Sequence, residues 1–218
     1  MFDKLFGRGR IPSEKDCAAW NEFKDRRIAA ALGPDHDTVL HAILSYEVGG
    51  ALHTYFYRRG IPGTGIATKQ LARLGETSPK NFVFEKYELV MFTRDDIVPG
   101  AVGEAVTPDA GTKLGFMRAT LNAVARYAEE AELNPGETLE FPSDFDPPLA
   151  GRCYLLDAYQ PDKQGPDFGL MLVMELFRDE LDIARSGGKA DLLTALRASG
   201  AYPYSDLDQR ASVAASVH

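Results

Sequence analysis

The sequence predicts an α+β fold, a mixed, largely antiparallel sheet of about six strands flanked by four helices. Three observations carry that prediction. Two runs rich in Val, Leu, Ile, Tyr and Phe, 37–44 and 51–58, are separated by Glu47-Val48-Gly49-Gly50, the pattern of a hairpin. Residues 169–176 form a continuous apolar run, too short for a lone surface helix and too apolar for a loop, which reads as a strand buried on both faces. Apolar residues at helical spacing mark helices near 14–32, 113–132, 178–186 and 189–199.

Taken in order, residues 1–12 read as a flexible arm, whose Phe2, Leu5 and Phe6 offer apolar contacts. Ser13-Glu14-Lys15-Asp16 has the form of a capping box, in which a hydroxyl accepts from an orphan backbone amide three residues on. The helix that follows places Trp20, Phe23, Ile28, Ala31 and Leu32 to one side and stops at Gly33-Pro34. In the hairpin, His41 and His53 are expected as neighbours across the sheet, with no third ligand to make a metal site. Residues 59–65 are glycine-rich and read as a turn. Gly63 and Gly65 suggest a phosphate loop, but Thr68 stands where the third glycine belongs, so no cofactor is expected.

Residues 82–93 are strand-like, with Val83, Glu85, Tyr87, Leu89 and Met91 on one face and Phe82, Phe84, Lys86, Glu88, Val90 and Phe92 on the other. A carboxylate inside a strand is costly unless paired, so Glu88 is expected to meet Arg58, Arg59 or Arg94 or to serve a partner. Beyond a loop at 95–112, Leu114, Met117, Leu121, Val124 and Ala128 repeat at three and four and make a firm core stripe, ended by Asn134-Pro135-Gly136. Thr138-Leu139-Glu140-Phe141 can pair briefly. Pro142, Pro147 and Pro148 then force an exposed loop carrying Asp144, Phe145 and Asp146. Residues 153–159 form a further strand. After the apolar run at 169–176, a helix with Phe177, Leu181 and Ala184 on one side runs to Ser186-Gly187-Gly188; Asp179, Glu180 and Asp182 read as solvated acids of its first turns. The last helix carries Leu192, Leu193, Ala195 and Leu196 inward and stops at Gly200.

Several segments together resemble the suppressor of fused domain family. They are ELFRDELDIARSGGKADLLTALRASG after the apolar strand, DLDQRASV near the end, ATKQL at 67–71, YELVMFTR at 87–94 and NPGETLEFP at 134–142. Their order covers roughly 38–213, so one domain is expected over 13–213, with a tail at 214–218. The segment Gly63-Thr64-Gly65-Ile66-Ala67-Thr68 ends in Thr where many members have Ser. What the resemblance implies is a non-enzymatic protein-binding domain that takes a peptide as an added strand. Bacterial relatives are thought to include immunity proteins that neutralise a co-encoded toxin.

Charge and composition agree with such a role. The chain holds 24 basic and 32 acidic residues, a net charge of −8, which repels a phosphate backbone and attracts a basic partner such as a nucleic-acid-directed toxin. Cys17 and Cys153 are far apart and read as reduced cytoplasmic thiols. MFDKLFGRGR lacks the apolar core of a signal peptide, and no run is long enough to cross a bilayer, so a cytoplasmic location is expected. No Gly-x-Ser-x-Gly, His-Glu-x-x-His, Cys-x-x-Cys or full phosphate loop occurs. The expected partner-binding residues are Arg59, Glu88, Arg94, Asp144, Phe145 and Asp146. The alternative is a small hydrolase using carboxylates of the 144–167 region and its neighbours, with Asp144, Asp146, Asp157 or Glu175 as acid and base, and it requires a deep pocket joining at least two of them.

Overall fold

The computed structural model describes residues 11–44, 46–97 and 112–217. The arm with Phe2, Leu5 and Phe6, most of the 95–112 loop and the terminal His218 lie outside the described residues.

Helix α1, Glu14–Leu32, begins as the sequence predicts. The Asp16 amide donates to Ser13 Oγ at 3.3 Å, and the Ser13 amide donates to Asp16 Oδ2 at 2.9 Å, so two orphan donors are satisfied reciprocally. Replacing Ser13 by alanine is expected to destabilise the fold by about 1 kcal/mol. Urea unfolding should show a lower midpoint with an unchanged slope.

Seven strands follow among the described residues: β1 (Asp35–Leu40), β2 (Thr54–Tyr57), β3 (Thr64–Ala67), β4 (Tyr87–Thr93), β5 (Thr138–Glu140), β6 (Cys153–Ala158) and β7 (Gly169–Leu176). They form one sheet in the order β1-β2-β3-β4-β7-β6-β5. Every neighbouring pair is antiparallel except β4 and β7, which run parallel with Tyr87 opposite Gly169. Where β7 leaves β4, the Ser205 amide donates to the Phe92 carbonyl at 2.8 Å and Tyr204 adds a parallel bridge.

The strand beyond the expected six is β3, which lies where the glycine-rich segment reads as a turn. The turn is present but ends at Gly63, with φ of 86°, and the last two residues expected in it, Thr64 and Gly65, already belong to β3. Gly65 is paired inside the strand, opposite Tyr57 and Phe92, and a Cβ there would stand 2.8 Å from the Phe92 ring, so the missing side chain is a packing requirement. The expected strand at 82–93 is also shorter than its alternation suggests. Asn81 Oδ1 accepts from the amides of Val83 and Phe84 at 2.9 and 2.8 Å, holding that stretch in a turn and leaving Phe82 exposed.

The four expected helices form three bodies. After α1 comes α2, Lys113–Glu130. The third body joins α3 (Arg178–Ile183) to α4 (Lys189–Ala198) through a π turn, Ala184–Gly188, bent at Gly187 with φ of 101°. None of these helices is long and apolar enough to cross a membrane.

The helices lie on opposite faces of the sheet. Trp20, Ile28 and Leu32 of α1 join Leu181, Leu192 and Leu196 over Val90, Phe92, Leu172 and Met174. Met117, Leu121 and Val124 of α2 pack over Leu89, Met91, Tyr154, Met171 and Val173. Covered on both sides, every residue of β4 and β7 is buried, which accounts for the unbroken apolar run at 169–176.

Candidate functional site

The six residues expected to meet a partner do not converge. Glu88 lies on the α1 face of β4 and is 0% exposed. Its carboxylate accepts from Lys24 Nζ at 3.2 Å, Thr68 Oγ1 at 2.7 Å, the Leu71 amide at 3.1 Å and the Ala72 amide at 3.0 Å. It is a structural clamp, and neither an arginine pair nor direct contact with a partner is open to it. Arg58 pairs instead with Asp96. Arg94 stacks on Tyr204 at 4.3 Å, approaches Asp206 at 3.7 Å and donates to the Gly200 carbonyl. Arg59 is exposed beside Gly60, remote in sequence from the acidic loop.

Asp144, Phe145 and Asp146 are exposed, as expected, in a turn-rich loop. What the sequence reading missed is the surface this loop completes. A cleft of about 600 Å³ opens between α2 and the β5 edge, lined by Ala123, Val124, Tyr127, Leu139, Phe141 and Phe145 among others. Phe141 holds the loop in place, its ring 4.8 Å from Phe145 and 5.6 Å, edge-on, from the buried Tyr154. Tyr127 and Phe145 remain 48% and 39% exposed, unusual for aromatics with an apolar cleft beside them. A sequence signal for Tyr127 existed, because it falls off the core stripe of α2 yet is aromatic.

Among the described residues, no strand pairs with the outer edge of β5. The Leu156 amide donates to the Glu137 carbonyl and the Phe141 amide to the Arg152 carbonyl, so residues 137, 139 and 141 face β6. By antiparallel alternation, the backbone N–H and C=O groups of Thr138 and Glu140 point away from the sheet. Arg178 and Arg185 each hold Glu140 at 2.6 Å and keep its carboxyl below the usual carboxylate range. Arg126, the cation lining the cleft, is turned to the 46–50 turn, where it stacks on Tyr46 at 3.7 Å and donates to the carbonyls of Tyr46 and Gly50 at 2.8 Å.

The carboxylates of the hydrolase alternative are separated. Asp157 faces the α4 side, bonded to Arg197 at 3.1 Å and Tyr202 Oη at 3.0 Å, and burial pushes its pKa up. Glu175 lies on the α2 side, paired with Arg152 at 2.5 Å, and burial likewise raises it. The cleft at Glu175, with Lys113, Arg152 and Asp208, contains none of Asp144, Asp146 or Asp157. His41 and His53 are neighbours with ring centroids 4.7 Å apart, and His53 Nδ1 accepts from the Ala42 amide at 3.1 Å. Both cysteines are free, and Cys153 is buried.

No family model matches the chain, and no curated protein matches it. Among solved structures it is similar to one titled the Sufu-Fu complex crystal structure, at 15% identity and a TM-score of 0.57, over 90% of this chain and 91% of that one. The fold is SUFU-like.

Proposed function

We propose that this chain is a non-enzymatic protein-binding domain that seats a partner protein on the β5 edge and the adjoining cleft. The observation that carries the reading is that the outward backbone groups of Thr138 and Glu140, unpaired among the described residues, lie beside a mainly apolar cleft bearing exposed aromatics. An added strand supplies affinity through the main chain, and the cleft supplies selectivity through side chains. The solved SUFU-like neighbour is itself titled as a complex of two proteins. The separation of Asp157 from Glu175 on opposite faces of the sheet favours binding over two-carboxylate hydrolysis. In the finer form of the proposal the chain is a cytoplasmic bacterial immunity protein, and its charge of −8 suits a basic toxin.

The test is recovery of a partner from the protein's own cells with tagged wild-type chain and with Phe145→Asp. The wild-type chain is expected to retain a defined partner and the variant to retain at least about tenfold less, since truncated or charged aromatic anchors lose most of an interface's energy. Equal recovery by both would move the surface elsewhere. Turnover of a small compound that stops when Glu175 or Asp157 is neutralised would replace binding with catalysis. The immunity form is checked by co-expressing the neighbouring gene product: growth restored by the wild-type chain supports it, and growth arrest despite the chain removes it.

A further inference from the structure

We infer that the cleft selects an apolar, preferentially aromatic, side chain from a segment that carries lysine or arginine on both sides of it. This rests on the protein-binding reading above and adds the chemistry of the partner. Val124, Leu139, Phe141, Phe145 and the Tyr127 ring make the walls mainly apolar, and a volume of about 600 Å³ accommodates one large side chain and its neighbours. The Phe141 and Phe145 rings are tilted 35° from each other with centroids 4.8 Å apart, and with the Tyr127 ring they give an aromatic guest several ring surfaces to pack on.

The charge around the cleft is biased toward acid, with Glu130 and Glu140 against Arg126 in the lining. Glu130 lines it, and Asp144 and Asp146 flank Phe145; all three are exposed and make no ion pair among the described residues. The nearby cations are partly engaged elsewhere, and the two arginines on the single Glu140 leave one positive charge there. Arg126 is held by Tyr46 and Gly50 and approaches Glu129 at 3.7 Å, while Arg178 and Arg185 are held by Glu140. An acidic rim about an apolar floor attracts cations placed beside an apolar anchor and repels the same anchor between acids. The exposed Tyr127 ring adds a face on which a guanidinium can stack.

Three fluorescein-labelled peptides test this by anisotropy: a serine-spaced phenylalanine–leucine core between lysine pairs, the same core between glutamate pairs, and an alanine core between lysine pairs. The lysine-flanked aromatic peptide is expected to bind at least about tenfold tighter than either of the others, and its advantage over the glutamate form should shrink to about twofold near 0.5 M salt. The double variant Asp144→Asn, Asp146→Asn, checked for an unchanged circular dichroism spectrum, should lose about fivefold for the lysine-flanked peptide alone. Absence of saturable binding by that peptide, or equal binding by the glutamate-flanked one, overturns the inference. If either occurs while Phe145→Asp still abolishes partner recovery, the anchor chemistry falls and the protein-binding reading stands.

Discussion

Replacing Glu88 by alanine is expected to lower the unfolding free energy by about 3–5 kcal/mol, the range for removing one member of a buried ion pair. The substitution strands Lys24, whose side chain is 4% exposed and which keeps only the Lys69 carbonyl at 2.7 Å. It also orphans the amides of Leu71 and Ala72 and releases Thr68, which itself accepts from the Leu89 amide. Three residues of the 67–72 segment, Thr68, Leu71 and Ala72, are thereby loosened from β4 at once. Changing Lys24 to methionine in the same background should recover part of the loss, because the uncompensated charge is then gone. Urea unfolding measures both. A loss below about 1 kcal/mol for the single variant would mean that water or rearrangement satisfies these groups.

The second large effect is expected at Arg210. Its guanidinium meets Glu180 in a fork at 2.5 and 2.7 Å, with side-chain exposures of 7% and 0%, and lies 4.7 Å from the Phe177 ring centre. Glu180 was expected to be a solvated acid at a helix start. It is buried because it also accepts from the Phe177 amide at 3.0 Å and the Val213 amide at 3.0 Å, so one carboxylate caps α3 and fastens the chain end. Arg210→Ala should cost about 3–5 kcal/mol by leaving that carboxylate unpaired. Arg210→Lys should restore less than half, since an ammonium cannot reproduce the planar fork. Hydrogen exchange separates local from global loss. Faster exchange confined to residues 205–217 would mean that the arginine fastens only the chain end.

Helix starts and stops were legible because they depend on local chemistry: Ser13 and Asp16 cap α1, and Gly200, with φ of 72°, follows α4. The doubly buried β7 was legible because a strand covered on both faces leaves no polar alternation. β3 was hidden because glycine signals a turn in sequence, and only the Phe92 ring across the sheet reveals why the strand takes a glycine at Gly65. Lys24 was hidden by the ordinary exposure of lysine, although it repeats at intervals of four with the buried Trp20, Ile28 and Leu32. The loop aromatic Phe145 was legible from its prolines. The cleft was not, since Tyr127 and Leu139 reach it from elements whose neighbourhood is set by tertiary packing.

The lone parallel pairing of β4 with β7 has a consequence for biosynthesis. It joins an N-terminal meander, β1 to β4, to a C-terminal one, β5 to β7, across roughly eighty intervening residues, a separation of the kind that slows folding. On the ribosome the first meander emerges while the inner flank of Tyr87–Thr93 still lacks its mate. Until Gly169–Leu176 has been translated, the nascent chain carries an apolar, hydrogen-bond-hungry ribbon, and chaperone demand should be greatest in that interval.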